Sequence, residues 1–254
     1  MSSTLAIFGL GFVGDALARR AAADGIAVAG FSRRRAIGAG RVLDLGDPQA
    51  VQSLVDGAER YDCAVVTIAP QHVDPSLWSA LARVAGRRLL LGSTGVYQRA
   101  FDCTQPIVTE ETPLLDEHRR LAAERAFLET GGTVARLAGL FGGARNPVRW
   151  IRDGRVGYEK RQANLVHRDD VVKVLLRLST PPAPQPVYNV ADGQRHTWRE
   201  IVDALVAAGV LEPQPPRLPR RNDAFVSPER LLADLGDFRF TDFWTLLERL
   251  CARA

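Results

Sequence analysis

The first fourteen residues constrain this chain most. Leu5-Ala6-Ile7-Phe8 is an unbroken apolar run, the pattern of a strand buried on both faces of a parallel sheet. It breaks into Gly9-Leu10-Gly11-Phe12-Val13-Gly14, and an alanine-rich helical stretch continues to Asp24, where Gly25 stops it. Strand, G-x-G-x-x-G and helix in that order make the cradle of a dinucleotide pyrophosphate. The first glycine permits the tight turn, the second lets backbone approach the phosphates, and the third lets helix pack on strand. The unpaired amides and positive dipole end of the helix face the anion. Gly9, Gly11, Phe12, Val13 and Gly14 are therefore the expected phosphate-side residues.

Ile26 to Phe31 reads as a second strand, and Ser32-Arg33-Arg34-Arg35 follows where an adenosine ribose would arrive. A site for NAD places a carboxylate about 20 residues past the glycines to hold both ribose hydroxyls. Here Ser32 stands 18 residues past Gly14, with arginines behind it and no acid. Planar, permanently charged guanidinium groups suit a 2′-phosphate, so Ser32, Arg33 and Arg34 point to NADP, with NAD the alternative.

The pattern then repeats strand and helix. Arg41-Val42-Leu43 reads as a short third strand ending at Asp44. Asp47-Pro48 opens a helix with a capping side chain and a proline at its first position, closed by Gly57. Cys63 to Ala69 reads as the fourth strand, Ser76 to Val84 as a helix, and Leu89-Leu90-Leu91 as the fifth strand. This alternation predicts an α/β fold, a Rossmann-like doubly wound parallel sheet with helices on both faces. Residues 1–145 read as the dinucleotide-binding domain. Residues 146–254 read mainly as a small C-terminal substrate lobe, with 164–192 returning to the core. Proline clusters at 181–186 and 213–219 read as stiff connectors.

Composition narrows the classes further. Hydrophobic residues make up 46% and charged residues 24%, the balance of a globular protein. The formal charge of +4 comes from basic residues interleaved with acidic ones, so no nucleic-acid partner is expected. Cys63, Cys103 and Cys251 form neither a disulfide framework nor a metal-ligand spacing, which suits a reducing cytoplasm and predicts no metal. No apolar run is long enough to span a bilayer, and the opening run is too short for a secretion signal.

The fifth strand runs into Gly92-Ser93-Thr94-Gly95-Val96-Tyr97, where ligands of such sheets lie. At this point the chain resembles the extended short-chain dehydrogenase/reductases, the NAD(P)-dependent epimerase/dehydratase group. Further pieces fall in the same order: Leu121-Ala122-Ala123-Glu124, Arg136 to Gly142, Leu165 to Val171, and Val187-Tyr188-Asn189-Val190. The resemblance covers about residues 4–208. It implies that Ser93 polarises a substrate oxygen, that Asp44 and Ala69 border the cofactor, that His167 holds a loop, and that the protein pairs as a homodimer. Arg145 and Arg149 would suit an anionic substrate such as a sugar nucleotide.

One departure matters. The family's acid–base pair is Tyr-x-x-x-Lys, and matching Leu121 to Glu124 puts Asp116 in the tyrosine position and Arg120 in the lysine position. The chain has two lysines, Lys160 and Lys173, and neither lies four residues after a tyrosine. Arg120 can still bond ribose hydroxyls but does not titrate, and Asp116 is a poor proton donor at neutral pH. Tyr97 is the first replacement to weigh, with His118 and His72 behind it. Three readings remain: an NADP-dependent oxidoreductase or epimerase acting on a small carbonyl or nucleotide-sugar substrate, a non-catalytic NADP-binding sensor, and a β-hydroxyacid dehydrogenase relying on Lys173. The short, proline-broken C-terminal half speaks against the third.

Overall fold

The structure is a computed structural model that describes residues 4–57, 59–98, 107–181, 185–217 and 224–251. It opens on β1 (Thr4–Phe8), buried from Leu5 onward. The glycine turn leads into α1 (Gly14–Ala23), which buries Leu17, Ala18 and Ala21 and ends before Gly25 at φ 77°. Next, β2 (Ala27–Phe31) lies parallel to β1, and Phe8 stacks on Phe31 with centroids 4.7 Å apart. The edge strand β3 (Ile37–Gly38) runs antiparallel to β2. The helix α2 (Pro48–Asp56) starts on Asp47, whose side chain accepts from the Gln49 amide at 2.9 Å. On the other side of β1 lies β4 (Tyr61–Val66), parallel to it, and α3 (Ser76–Val84) leads to β5 (Ala85–Ser93), parallel to β4.

The remaining elements are β6 (Ile107–Val108), α4 (Leu121–Glu129), β7 (Thr133–Leu137), β8 (Gly139–Phe141), α5 (Pro147–Arg152), β9 (Leu165–His167), α6 (Arg168–Leu178), β10 (Val187–Val190), α7 (Trp198–Ala207), β11 (Phe225–Val226), α8 (Glu229–Leu235) and α9 (Phe243–Cys251). The main sheet has seven strands in the order β10-β7-β5-β4-β1-β2-β3. From β1 the chain builds outward through β2 and β3, then returns to place β4 on the opposite side. That reversal opens a crevice beyond the carboxyl ends of β1 and β4, where such sheets bind ligands. The mostly parallel α/β arrangement is the one the strand-helix alternation predicts.

Two details differ from the sequence reading. Arg41-Val42-Leu43 is not a strand; it makes one isolated bridge, Ser32 to Val42, and Leu43 N–H donates to Ser32 O at 3.0 Å. The edge pairing falls instead on Ile37–Gly38, because Gly38 at φ 57° crosses so close to Val28 O that a side chain there would collide. The fourth strand stops at Val66 rather than Ala69, although Thr67 N–H still donates to Phe8 O at 2.9 Å.

The chain divides into two compact units. The first holds residues 1–96, 115–136 and 171–188. Its core joins Phe8, Phe31, Leu45, Leu77, Trp78 and Phe127, with Trp78 and Phe127 edge to face at 5.2 Å. The second holds residues 97–114, 137–170 and 189–254, around Phe141, Ile151, Trp198, Ile201 and Phe243. There α7 begins with a capping box of Thr197 and Glu200, and Asp170 accepts from Thr241 N and Oγ1 at 2.9 and 2.8 Å. Asn146 caps α5 by accepting from Val148 N at 2.9 Å. Cys103, Pro182 to Pro184, Pro219, Arg220 and Arg221 lie outside the described residues.

Candidate functional site

In the first unit the glycine turn forms one wall of a cleft of about 880 Å³. Its lining includes Gly9, Leu10 and Gly11 from the turn, Ser32 to Arg35 after β2, Asp44 to Asp47 before α2, and Ile68 and His72 after β4. Each glycine has its own reason. Gly9 sits at φ 103°, and a Cβ there would meet Ile68 and the Thr67 hydroxyl at 2.5 and 2.8 Å. A Cβ on Gly14 would strike Gly9 O at 1.8 Å, so the third glycine brings helix against strand. A Cβ on Gly11 would meet no atom within 4 Å: that glycine faces open cleft. The cradle therefore has the close packing behind and the bare backbone in front that a pyrophosphate needs.

Of the residues expected at the cofactor, Gly9, Gly11, Ser32, Arg33, Arg34 and Asp44 line the cleft, whereas Phe12, Val13, Gly14 and Ala69 do not. Val13 is buried as the residue leading into α1, and Ile68 takes the wall position expected of Ala69. The arginine run is not uniform. Arg35 bonds Asp15 and the Leu10 carbonyl, the latter at 3.0 Å, while Arg33 and Arg34 are exposed and their guanidinium groups pair with no described residue. Ser32 Oγ donates to Arg35 O at 2.7 Å, shaping the turn that presents them. Asp44 Oδ1 accepts from Gly46 N at 3.0 Å. Sequence reasoning missed Leu10, Leu45, Gly46, Asp47 and Ile68 as lining. The signal for two of them was Thr67-Ile68 at the end of a strand next to β1, and Leu45 directly after Asp44.

Ser93 ends β5, and the chain turns tightly through Thr94–Val96. Gly95 N–H donates to Ser93 Oγ at 3.1 Å, so the hydroxyl proton of Ser93 is left to donate elsewhere. The strand end is held from below: buried Glu124 accepts from Arg136 Nε at 3.0 Å, and a Cβ on Gly92 would meet Glu124 Oε1 at 2.7 Å. Burial pushes the Glu124 carboxyl up, and the Arg136 charge and hydrogen bond pull it back. Asp116 is exposed and pairs with Arg125 at 2.7 Å. Arg120 is half-buried, and its guanidinium makes no hydrogen bond or ion pair among the described residues. Burial, then Arg119, holds the Arg120 group below its usual range.

His118 lies beside this turn. Arg120 N–H donates to its Nδ1 at 3.3 Å, and its Nε2 lies 3.9 Å from the Cβ position of Gly95. Burial, Arg120 and Arg119 all hold the imidazole below its ordinary pKa. In the second unit, Tyr97 is 1% exposed, and its hydroxyl donates to Asn189 Oδ1 at 2.7 Å. That burial favours packing over proton transfer for this phenol. His167 also lies in that unit, edge to face with Phe141 at 5.1 Å. Arg145 and Arg149 are exposed there. Among the described residues no cluster of His, Cys, Asp or Glu could hold a metal, and no helix is long and apolar enough to cross a membrane.

Fold and cleft together define an α/β Rossmann-like fold of the kind found in NAD(P)-dependent epimerases and dehydratases. No family model matches the chain. It is 26% identical to Protein YeeZ of Escherichia coli (strain K12), over 94% of this chain and 96% of that protein. Among solved structures it resembles a provisionally assigned NAD-dependent epimerase/dehydratase from Methylobacillus flagellatus, with a TM-score of 0.80, 25% identity, and 99% and 98% of the two chains covered. It also shares the fold of RMD from Pseudomonas aeruginosa complexed with NADPH, with a TM-score of 0.72 and 22% identity over the full length of both chains.

Proposed function

We propose that this protein is an NADP-preferring oxidoreductase or epimerase acting on a small carbonyl compound or a nucleotide sugar. The observation that carries the reading is the pair of unpaired guanidinium groups, Arg33 and Arg34, on the wall of the cleft that Gly9 and Gly11 line. Two fixed cations with no acidic partner among the described residues suit a 2′-phosphate by bidentate pairing. Gly11 offers bare backbone to the pyrophosphate, and Asp44 would accept from the adenine edge with the oxygen that Gly46 leaves open. When bound, the nicotinamide supplies a hydride donor or acceptor at carbon. Ser93 would donate its hydroxyl to the substrate oxygen, because its lone pair is engaged by the Gly95 amide.

The test is paired titration with NADP+ and NAD+ by calorimetry, followed by NADPH absorbance with aldehydes, ketones and nucleotide sugars. Tighter binding of NADP+ and turnover with one of these classes is the expected result. Tight binding without turnover would favour the second reading, a non-catalytic NADP-binding sensor. What favours that second reading is the exposed, Arg125-paired Asp116 and the non-titrating Arg120 where the resemblance asks for tyrosine and lysine.

A further inference from the structure

Ser93 Oγ and His118 Nε2 both lie beside Gly95, 3.3 and 3.9 Å from where a Cβ on that residue would stand. Ser93 Oγ is already an acceptor, from Gly95 N–H at 3.1 Å, so what it offers outward is a proton. His118 is placed the same way. Its Nδ1 faces the backbone N–H of Arg120 at 3.3 Å, which only an unprotonated ring nitrogen can accept. The neutral ring therefore carries its hydrogen on Nε2, the ring nitrogen on the Gly95 side. Adding a second proton at Nδ1 would set N–H against N–H and place a cation beside Arg119 and Arg120. Burial and those two arginines accordingly hold the ring below its ordinary pKa.

We infer that His118 is the second oxygen-binding group of the site, a neutral imidazole whose Nε2–H donates alongside the Ser93 hydroxyl to the substrate carbonyl oxygen. This rests on the oxidoreductase reading and adds to it the group that stands in for the missing tyrosine. In the reductive direction bound NADPH would supply the hydride for the new C–H bond, becoming NADP+, as the C=O π pair moves onto oxygen. The two donors hold the oxyanion in place, and it takes its proton from water to give the alcohol. His118 keeps its own proton throughout and acts by polarising, not by transferring.

The first measurement is the ring-nitrogen NMR spectrum of His118 in the ligand-free wild-type protein at neutral pH. The expected result is a neutral ring with Nε2–H and a lone pair on Nδ1. A ring protonated on Nδ1, or an imidazolium, overturns the proposal whatever the enzyme turns over. The second is NADPH oxidation with benzaldehyde and cyclohexanone by wild type, His118→Gln and His118→Phe. Phenylalanine should lower kcat about 100-fold with little change in cofactor affinity, the loss typical of one oxyanion donor. Glutamine, which retains an N–H, should recover part of that loss. Equal activity in all three overturns the role of His118 while leaving the oxidoreductase reading intact. A wild type that oxidises NADPH with neither probe, nor with nucleotide sugars, overturns both.

Discussion

The Thr67 hydroxyl donates to the Gly9 carbonyl at 2.7 Å, tying the end of β4 to the first glycine of the turn across the crevice between β4 and β1. A turn that must present bare amides gains by having its carbonyl held from behind. Thr67→Val keeps the shape and removes the donor. It should lower stability by about 1 kcal/mol, the usual net worth of such a bond, and weaken cofactor binding several-fold. Chemical denaturation and calorimetric titration on the same preparation would check both.

Gly11 and Gly14 should differ in stability, not in binding, when each gains one methyl group. Gly11→Ala places its Cβ in open cleft, so the variant should fold with an unchanged melting temperature yet bind dinucleotide at least tenfold more weakly. Gly14→Ala drives its Cβ onto Gly9 O, so it should be destabilised as well as non-binding. Thermal unfolding separates the two. Equal melting temperatures would refute the division of labour.

Replacing Arg33 and Arg34 by serine should cost NADP+ affinity and leave NAD+ affinity nearly unchanged. A charge-assisted hydrogen bond is worth about 1.5–3 kcal/mol, so losing one should weaken NADP+ about 10- to 100-fold. Because Arg35 is already bonded to Asp15, Arg35→Ser should instead act on α1 and on stability. Side-by-side titration of the three variants would show whether this assignment holds.

Two buried groups of the second unit give opposing pH dependences. His196 is buried and stacked on Phe243 at 4.2 Å, and burial, opposed by Glu200 and Asp242, lowers its pKa to about 4. Between 6.5 and about 4 the unfolded chain takes a proton that the folded one refuses, so this contribution to stability is lost as pH falls. Asp192 is pushed up to about 7 by burial and by Asp170 and Asp242, against the Gln194 amide. There the folded state keeps a proton the unfolded state gives up, so its contribution is lost as pH rises from 3.8 toward 7. The wild type should show a shallow slope between these limits. Asp192→Asn should lose stability more steeply on acidification, and His196→Phe should gain it; denaturation midpoints measured across that range would decide.

Much of the fold was legible because its signals are local. Gly9 to Gly14 and the Asp47-Pro48 start of α2 each lie within a few residues, and the structure builds them as read. What escaped depends on distant partners. Nothing near Tyr97 announces Asn189, 92 residues away, which takes its hydroxyl in a buried bond. Nothing near Arg35 announces Asp15, which ties down one of the three arginines that line the cleft. His118 ranks behind Tyr97 in the sequence, because the amide its Nδ1 accepts from is a backbone group that no side-chain pattern displays. The misplaced third strand has the same origin: Gly38's left-handed turn decides which residues reach β2.

The buried pair of Glu124 and Arg136 separates architecture from chemistry. It binds α4 to β7 beneath Gly92, so the helix is anchored from its first turn onward. Residues 116–120 stand before that anchor, in turns, and the exposed Asp116 among them carries no part of the core. Side chains of this segment can therefore change one at a time while the core keeps that anchor. Glu124 is the residue that makes change at its neighbours survivable.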